Sequence, residues 1–128
     1  MSSIHRTLEG DVLVHHLSED ERTIDQALVA QHGRSARTLV KEGLLRLTII
    51  EIAAGGNLPP HSAPGPVSIQ ILKGEIVFDA VGREYMLVTG DILVLAPGVE
   101  HSARSSGGVV LLLTVVHPES AGSRIADA

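Results

Sequence analysis

The sequence predicts an all-β barrel preceded by one short helix, and three observations carry that prediction. From residue 35 onward, short apolar runs are separated by turn residues at the even spacing of a sandwich or barrel. The breaks fall at Gly43, Gly55-Gly56, Lys73-Gly74, Val81-Gly82, Gly90-Asp91, Pro97-Gly98 and Gly107-Gly108, all rich in residues that accept turn geometry. Before residue 35, a single stretch carries helical signals.

That stretch begins at Ser18-Glu-Asp-Glu21, a capping box in which the Ser hydroxyl accepts from a first-turn amide and the Glu side chain reaches back to the Ser amide. Ile24, Ala27 and Leu28 follow at helical spacing, and Gly33 supplies the residue that stops a helix, which predicts one amphipathic helix over 19–32. His32 in its last turn reads as a dipole-capping residue. Strands are predicted near 36–41, 44–53, 66–72, 75–80, 83–88, 92–96, 101–105 and 109–116, with Val12 to Leu17 as a further edge strand. The runs 75–80 and 83–88 are close enough for a tight hairpin.

The 128 residues suit one domain that buries about two-thirds of its unfolded surface. The expected division is a barrel over about 36–117, an N-terminal arm and helix over 1–33, and a fraying tail over 118–128. A net charge of −5, and Phe78 and Tyr85 as the whole aromatic complement, argue against a nucleic-acid partner: there is neither a basic stripe nor a stacking platform. The absence of cysteine excludes disulfides, thiolate metal sites and thiol nucleophiles. The opening Met1-Ser-Ser-Ile-His-Arg has no apolar signal stretch, and the longest apolar run, Val109 to Val116, is too short to span a bilayer. A soluble cytoplasmic protein with no membrane partner is the expectation.

Two stretches resemble the paired motifs of the cupin superfamily. Gly55 is followed after five residues by His61, and Gly74 closes the first motif when Val67 occupies its Glu position. Gly90-Asp91-Ile-Leu-Val-Leu-Ala-Pro97-Gly98-Val-Glu-His101 resembles the second motif, with Pro97 displaced by one residue. The resemblance covers about 44–116 and implies a small single-domain cupin: a cupin-type double-stranded β-helix, or jelly-roll barrel. In that family two His of a His-x-His pair, a Glu and a second-motif His hold a divalent metal, commonly iron, manganese, nickel or zinc. Here His61 and His101 match, Ala63 stands at the second His, Val67 at the Glu, and Ser105 replaces a following Asn. Residues two apart on a strand face the same way, so Ala63 shares the face of His61, and Val67 that of Ile69 and Ile71.

Two neutral imidazoles leave most of a transition metal's coordination sphere unfilled, so any metal at this degenerate site is expected to be weakly held. Three roles for His61 and His101 stay open: metal ligands, polar groups orienting a small molecule, or barrel histidines with structural hydrogen bonds. The wider candidate ligand set is His61, Ala63, Val67, Ile69 and His101.

No nucleophile elbow, phosphate-binding loop or dinucleotide fingerprint is present. His15 and His16 are adjacent and read as surface residues. Glu75 and Asp79 share the face opposite Ile76 and Phe78 and read as solvated; Glu100 reads as a rim residue and Gln70 as outward-facing. Arg34, Arg37 and Arg46 read as surface charges, with contact to an anionic substrate as the alternative.

Three functions from different classes follow. The first is a binding module holding a small, largely apolar molecule between His61 and His101; the second a metal-dependent enzyme of dioxygenase or isomerase type; the third a structural, dimerising module with a filled barrel. A homodimer is expected, because the edge strand at Val12 to Leu17 would otherwise be open.

Overall fold

The computed structural model describes residues 10–22 and 24–118. Two short helices, α1 (Leu17–Arg22) and α2 (Gln26–His32), precede eight strands: β1 (Arg34–Glu42), β2 (Leu45–Ile52), β3 (Asn57–His61), β4 (Val67–Ala80), β5 (Arg83–Val88), β6 (Ile92–Leu95), β7 (His101–Arg104) and β8 (Val109–Val116). All pairings are antiparallel, in two sheets of order β1-β2-β8-β4-β6 and β3-β7-β4-β5. This is the all-β jelly-roll barrel that the sequence predicts.

The long strand β4 belongs to both sheets. Its first half pairs with β6 and β8 and its second half with β5 and β7, with a register shift between Ile71 and Lys73 where it bends. Gly74 makes that bend possible: its φ is +102°, and a Cβ there would lie 2.3 Å from the Gly108 carbonyl oxygen. The Lys73-Gly74 break is therefore a kink inside one strand rather than the gap between two.

Between the sheets, Ile52, Ile69, Ile71 and Leu111 pack against Ile76, Phe78 and Ala103 in one buried cluster. On the other side of the first sheet, Leu39, Val40, Ile49 and Val110 pack under Ile24 and Val29 of the helical segment. Burial on both faces explains why β8 reads as a nearly continuous apolar run instead of alternating.

Three local expectations are corrected. The single helix over 19–32 is two helices, because Asp25 caps α2 by accepting from the amides of Ala27 and Leu28 and so starts a new helix. Gly33 ends α2 as expected, with φ +81° and its amide donating to Val29 O. Val12 to Leu17 is not a strand: 12–16 has no regular structure and Leu17 opens α1. Strand β3, Asn57-Leu-Pro-Pro-His61, lies outside the predicted strands. It lies at a sheet edge and pairs only with β7, with a register irregularity where Pro59 and Pro60 have no amide to give. The expected tail, apart from Pro118, and residues 1–9 of the expected arm lie outside the described residues.

Candidate functional site at the open end of the barrel

The two ends of the barrel are built differently. One is closed by a hydrogen-bonded plug: Glu75 Oε2 accepts from Ser106 Oγ and from the Gly107 amide at 2.6 Å, while Ser105 Oγ donates to Glu75 O and accepts from the Gly108 amide at 2.9 Å. Ser105, at the position of the family's Asn, thus stabilises a turn. The opposite end collects the β1–β2 turn, the crossovers 62–66 and 96–100, and the Val81-Gly82 hairpin turn. The Gly98 amide ties the two crossovers by donating to Ala63 O at 2.8 Å.

His61, the last residue of β3, and His101, the first of β7, meet at this end as direct register partners. Their ring centroids are 4.4 Å apart and their planes tilted by 56°. His101 is buried, with 4% of its surface exposed, and its ring lies 6.2 Å from that of Phe78. Its Nδ1 is 3.0 Å from Val99 O, and since a carbonyl only accepts, Nδ1 carries the proton and Nε2 keeps a free lone pair. His61 lies at the solvent edge. Burial of its flank against the neighbouring ring holds its pKa below the usual histidine value; the adjacent His101 lowers it further, and a hydrogen bond to the Pro59 backbone opposes both.

The other sequence candidates sit further in. Ala63 is half-buried against the core, while Val67 and Ile69 are buried side chains of the inner cluster. An open hollow of about 480 Å³ flanks His101 between the Val81-Gly82 turn and Glu100-Ser102, with Pro60, Asp79, Arg83 and Glu84 also lining it; Ala63, Val67 and Ile69 do not line it. Glu100 is exposed there. On the outer face, Asp79 and Glu84 are both held at 2.9 Å by Arg104, so neither forms an acid/base pair with Glu75.

The chemistry of the donor set does not fit a resident metal. Among the described residues no group of three or more His, Asp or Glu side chains converges. The positions that would complete the set carry Ala63 and the buried Val67, which have no donor atoms.

Register also shows a pattern the linear sequence hides. On the strands, the ionisable side chains facing into the barrel are Arg34, Lys41, Arg46, His61, Arg83, Tyr85 and His101; Glu42, Glu51, Glu75, Asp79 and Glu84 all face outward. Parity within a strand could suggest each assignment. The bulge between Thr38 and Val40, which turns Lys41 inward, has no sequence signal.

The family model described as the cupin domain matches residues 48–117. The chain belongs to the cupin family. Solved structures agree: this cupin is 26% identical to a conserved protein of unknown function from Streptococcus pyogenes, over 93% of this chain and 97% of that one, with a TM-score of 0.65. It is 21% identical to the Cnp3 cupin domain of Schizosaccharomyces pombe, over 76% and 75% of the chains at a TM-score of 0.68. It is 18% identical to a salicylate 1,2-dioxygenase from Pseudaminobacter salicylatoxidans, over 80% of this chain but 34% of that enzyme, at 0.72. At such identities the last two speak for the fold alone. Among curated proteins no sequence matches this cupin. No helix among its described residues is long and apolar enough to cross a membrane.

Proposed function

We propose that this cupin binds a small, largely apolar molecule at the open end of its barrel, with the His61–His101 pair as polar anchor. The carrying observation is the pair itself: two imidazoles in register at the barrel mouth, with His101 oriented by Val99 O so that Nε2 is free to accept from a ligand. Behind the pair lies the buried apolar cluster around Phe78, Val67 and Ala103, which does not line the hollow itself. Because that cluster fills the interior, the ligand is expected at the mouth rather than deep between the sheets.

A fragment screen read by thermal shift, followed by NMR of the His61 and His101 ring protons, tests this. Apolar fragments with one polar group should raise the melting temperature and shift both rings, and His61→Ala and His101→Ala should each weaken binding by about tenfold or more. Near-stoichiometric iron, manganese, nickel or zinc in untagged protein would overturn the reading in favour of a metal-dependent enzyme. A folded protein that binds no fragment would favour a structural module.

A further inference from the structure

We infer that the molecule bound at the barrel mouth carries an oxyanion group, and that Lys41 and Arg46 receive it; this rests on the ligand-binding reading above. Lys41 on β1 and Arg46 on β2 are direct register partners, so their side chains leave the sheet on the same, inner face. Two like charges in that relation repel one another, and both residues are half-buried, where water screens them incompletely. Among the described residues neither has a carboxylate partner. The Arg46 guanidinium instead places NH1 3.1 Å from His117 Nε2, and its Nε–H is buried without an acceptor. The described residues therefore supply this pair with no carboxylate and leave the Arg46 Nε–H without an acceptor.

Arg46 belongs to the inner row Arg46, Val115, Val67 at the end of the first sheet. The crossover 62–66 joins Val67 to His61, so this row and the histidine pair lie at the same end of the barrel, with Lys41 and Arg46 outside the lining of the hollow beside His101. Arg83 lines the hollow beside His101 together with the carboxylates Asp79, Glu84 and Glu100, so among the described residues the uncompensated cations at this end are Lys41 and Arg46 rather than Arg83. By register every strand carboxylate faces outward, as do Arg37, Lys73 and Arg104, while the inner row at this end keeps Lys41 and Arg46 without a carboxylate on the same face. A guanidinium beside an ammonium suits a carboxylate or phosphate through charge-assisted hydrogen bonds, while the aliphatic row Val115 and Val67 suits the apolar body behind it.

Calorimetry on the full chain with benzoate, its neutral isostere benzamide, and inorganic phosphate tests the inference. Benzoate should bind about tenfold or more tightly than benzamide, and this preference should shrink with added salt. Lys41→Gln and Arg46→Gln should each remove most of the preference while leaving benzamide within about threefold, and Arg46→Lys should retain part of it. Competition of phosphate with benzoate would assign the site to phosphate-bearing ligands, and its failure to compete would assign it to carboxylates. Benzamide bound as tightly as benzoate in the wild type, a comparison that needs no variant, would overturn the inference and leave the binding reading standing. Absence of binding by all three probes would overturn both.

Discussion

His61 and His101 face one another across β3 and β7 with ring centroids 4.4 Å apart, one at the solvent edge and the other buried. Two protonated imidazoles at that separation repel, and burial already disfavours charge on His61. His61 is expected to stay neutral at pH 7 and to titrate below the usual histidine range. The unfolded chain then binds more protons than the folded one in the window below about pH 6.5, so this contribution to stability is complete above that pH and is lost as pH falls through the window. NMR titration of the His61 ring proton checks the value. His101→Ala should raise it only in part, because burial is the larger cause; a wild-type His61 titrating at or above the ordinary value would contradict the account.

Ser105 is 1% exposed and serves the turn closing the far end, accepting from the Gly108 amide and donating to Glu75 O. Ser105→Ala leaves both groups without that partner and should cost about 1–3 kcal/mol, seen as a lower urea midpoint at unchanged slope. A loss below a few tenths of a kcal/mol would mean that the turn does not depend on the hydroxyl.

The barrel was legible because its signals are local: turn residues mark the strand ends, and the Val81-Gly82 hairpin pairs in the expected frame, Ala80 opposite Arg83. The His61–His101 encounter was legible only through motif spacing, since nothing local to either residue brings β3 beside β7. What was not legible depends on pairing. Two prolines hid β3, whose edge position makes their missing amides harmless. The inward turn of Lys41 follows from a bulge. His15, read as a surface residue, is half-buried between Asp20 Oδ2 and Leu39 O, at 3.0 Å from each, because Asp20 is also drawn to Arg37 on β1. Burial opposes ionisation of Asp20, but the Arg37 hydrogen bond and the His15 contacts outweigh it and hold its pKa below the usual carboxylate range.

Val81 has φ +47°, and with Gly82 at +76° it forms the two-residue turn between β4 and β5. A β-branched residue in the left-handed region is strained, whereas Asn accepts that conformation, and Val81 is 71% exposed, so little packing is lost on replacement. Val81→Asn should stabilise the protein by about 1 kcal/mol, a rise in melting temperature of roughly 3–6 °C. No change on calorimetric melting would show that the strain is relieved elsewhere.

Val12, Leu13 and Val14 form a contiguous exposed apolar segment, and among the described residues β1 is the end strand of its sheet. Exposed apolar surface beside an end strand favours association, and a homodimer is the expected solution state. Light scattering at micromolar concentration should report twice the chain mass, and Val12→Asp with Val14→Asp should shift it toward the monomer. A monomeric wild type would refute the expectation.

The last prediction rebuilds what the sequence lacks. Ala63 packs at the crossover beside the histidine pair, and Val67 lies on the inner face of β4 in the row between Leu95 and Val115. Ala63→His with Val67→Glu should add an imidazole and a carboxylate to the two imidazoles already present, giving the N/O donor set that first-row metals favour. Nickel or zinc affinity should rise by orders of magnitude over wild type and fall away below about pH 6 as the imidazoles protonate. Without metal the variant should be less stable by roughly a few kcal/mol, because Val67 is 4% exposed and a carboxylate there gives up its hydration. Arg46, in the same inner row, should recover part of that loss by attracting the new carboxylate, so Arg46→Gln in this background should destabilise the metal-free form and strengthen metal binding. Titration calorimetry and melting with and without nickel decide the matter: an unchanged affinity in a folded double variant would mean that these side chains do not converge on His61 and His101.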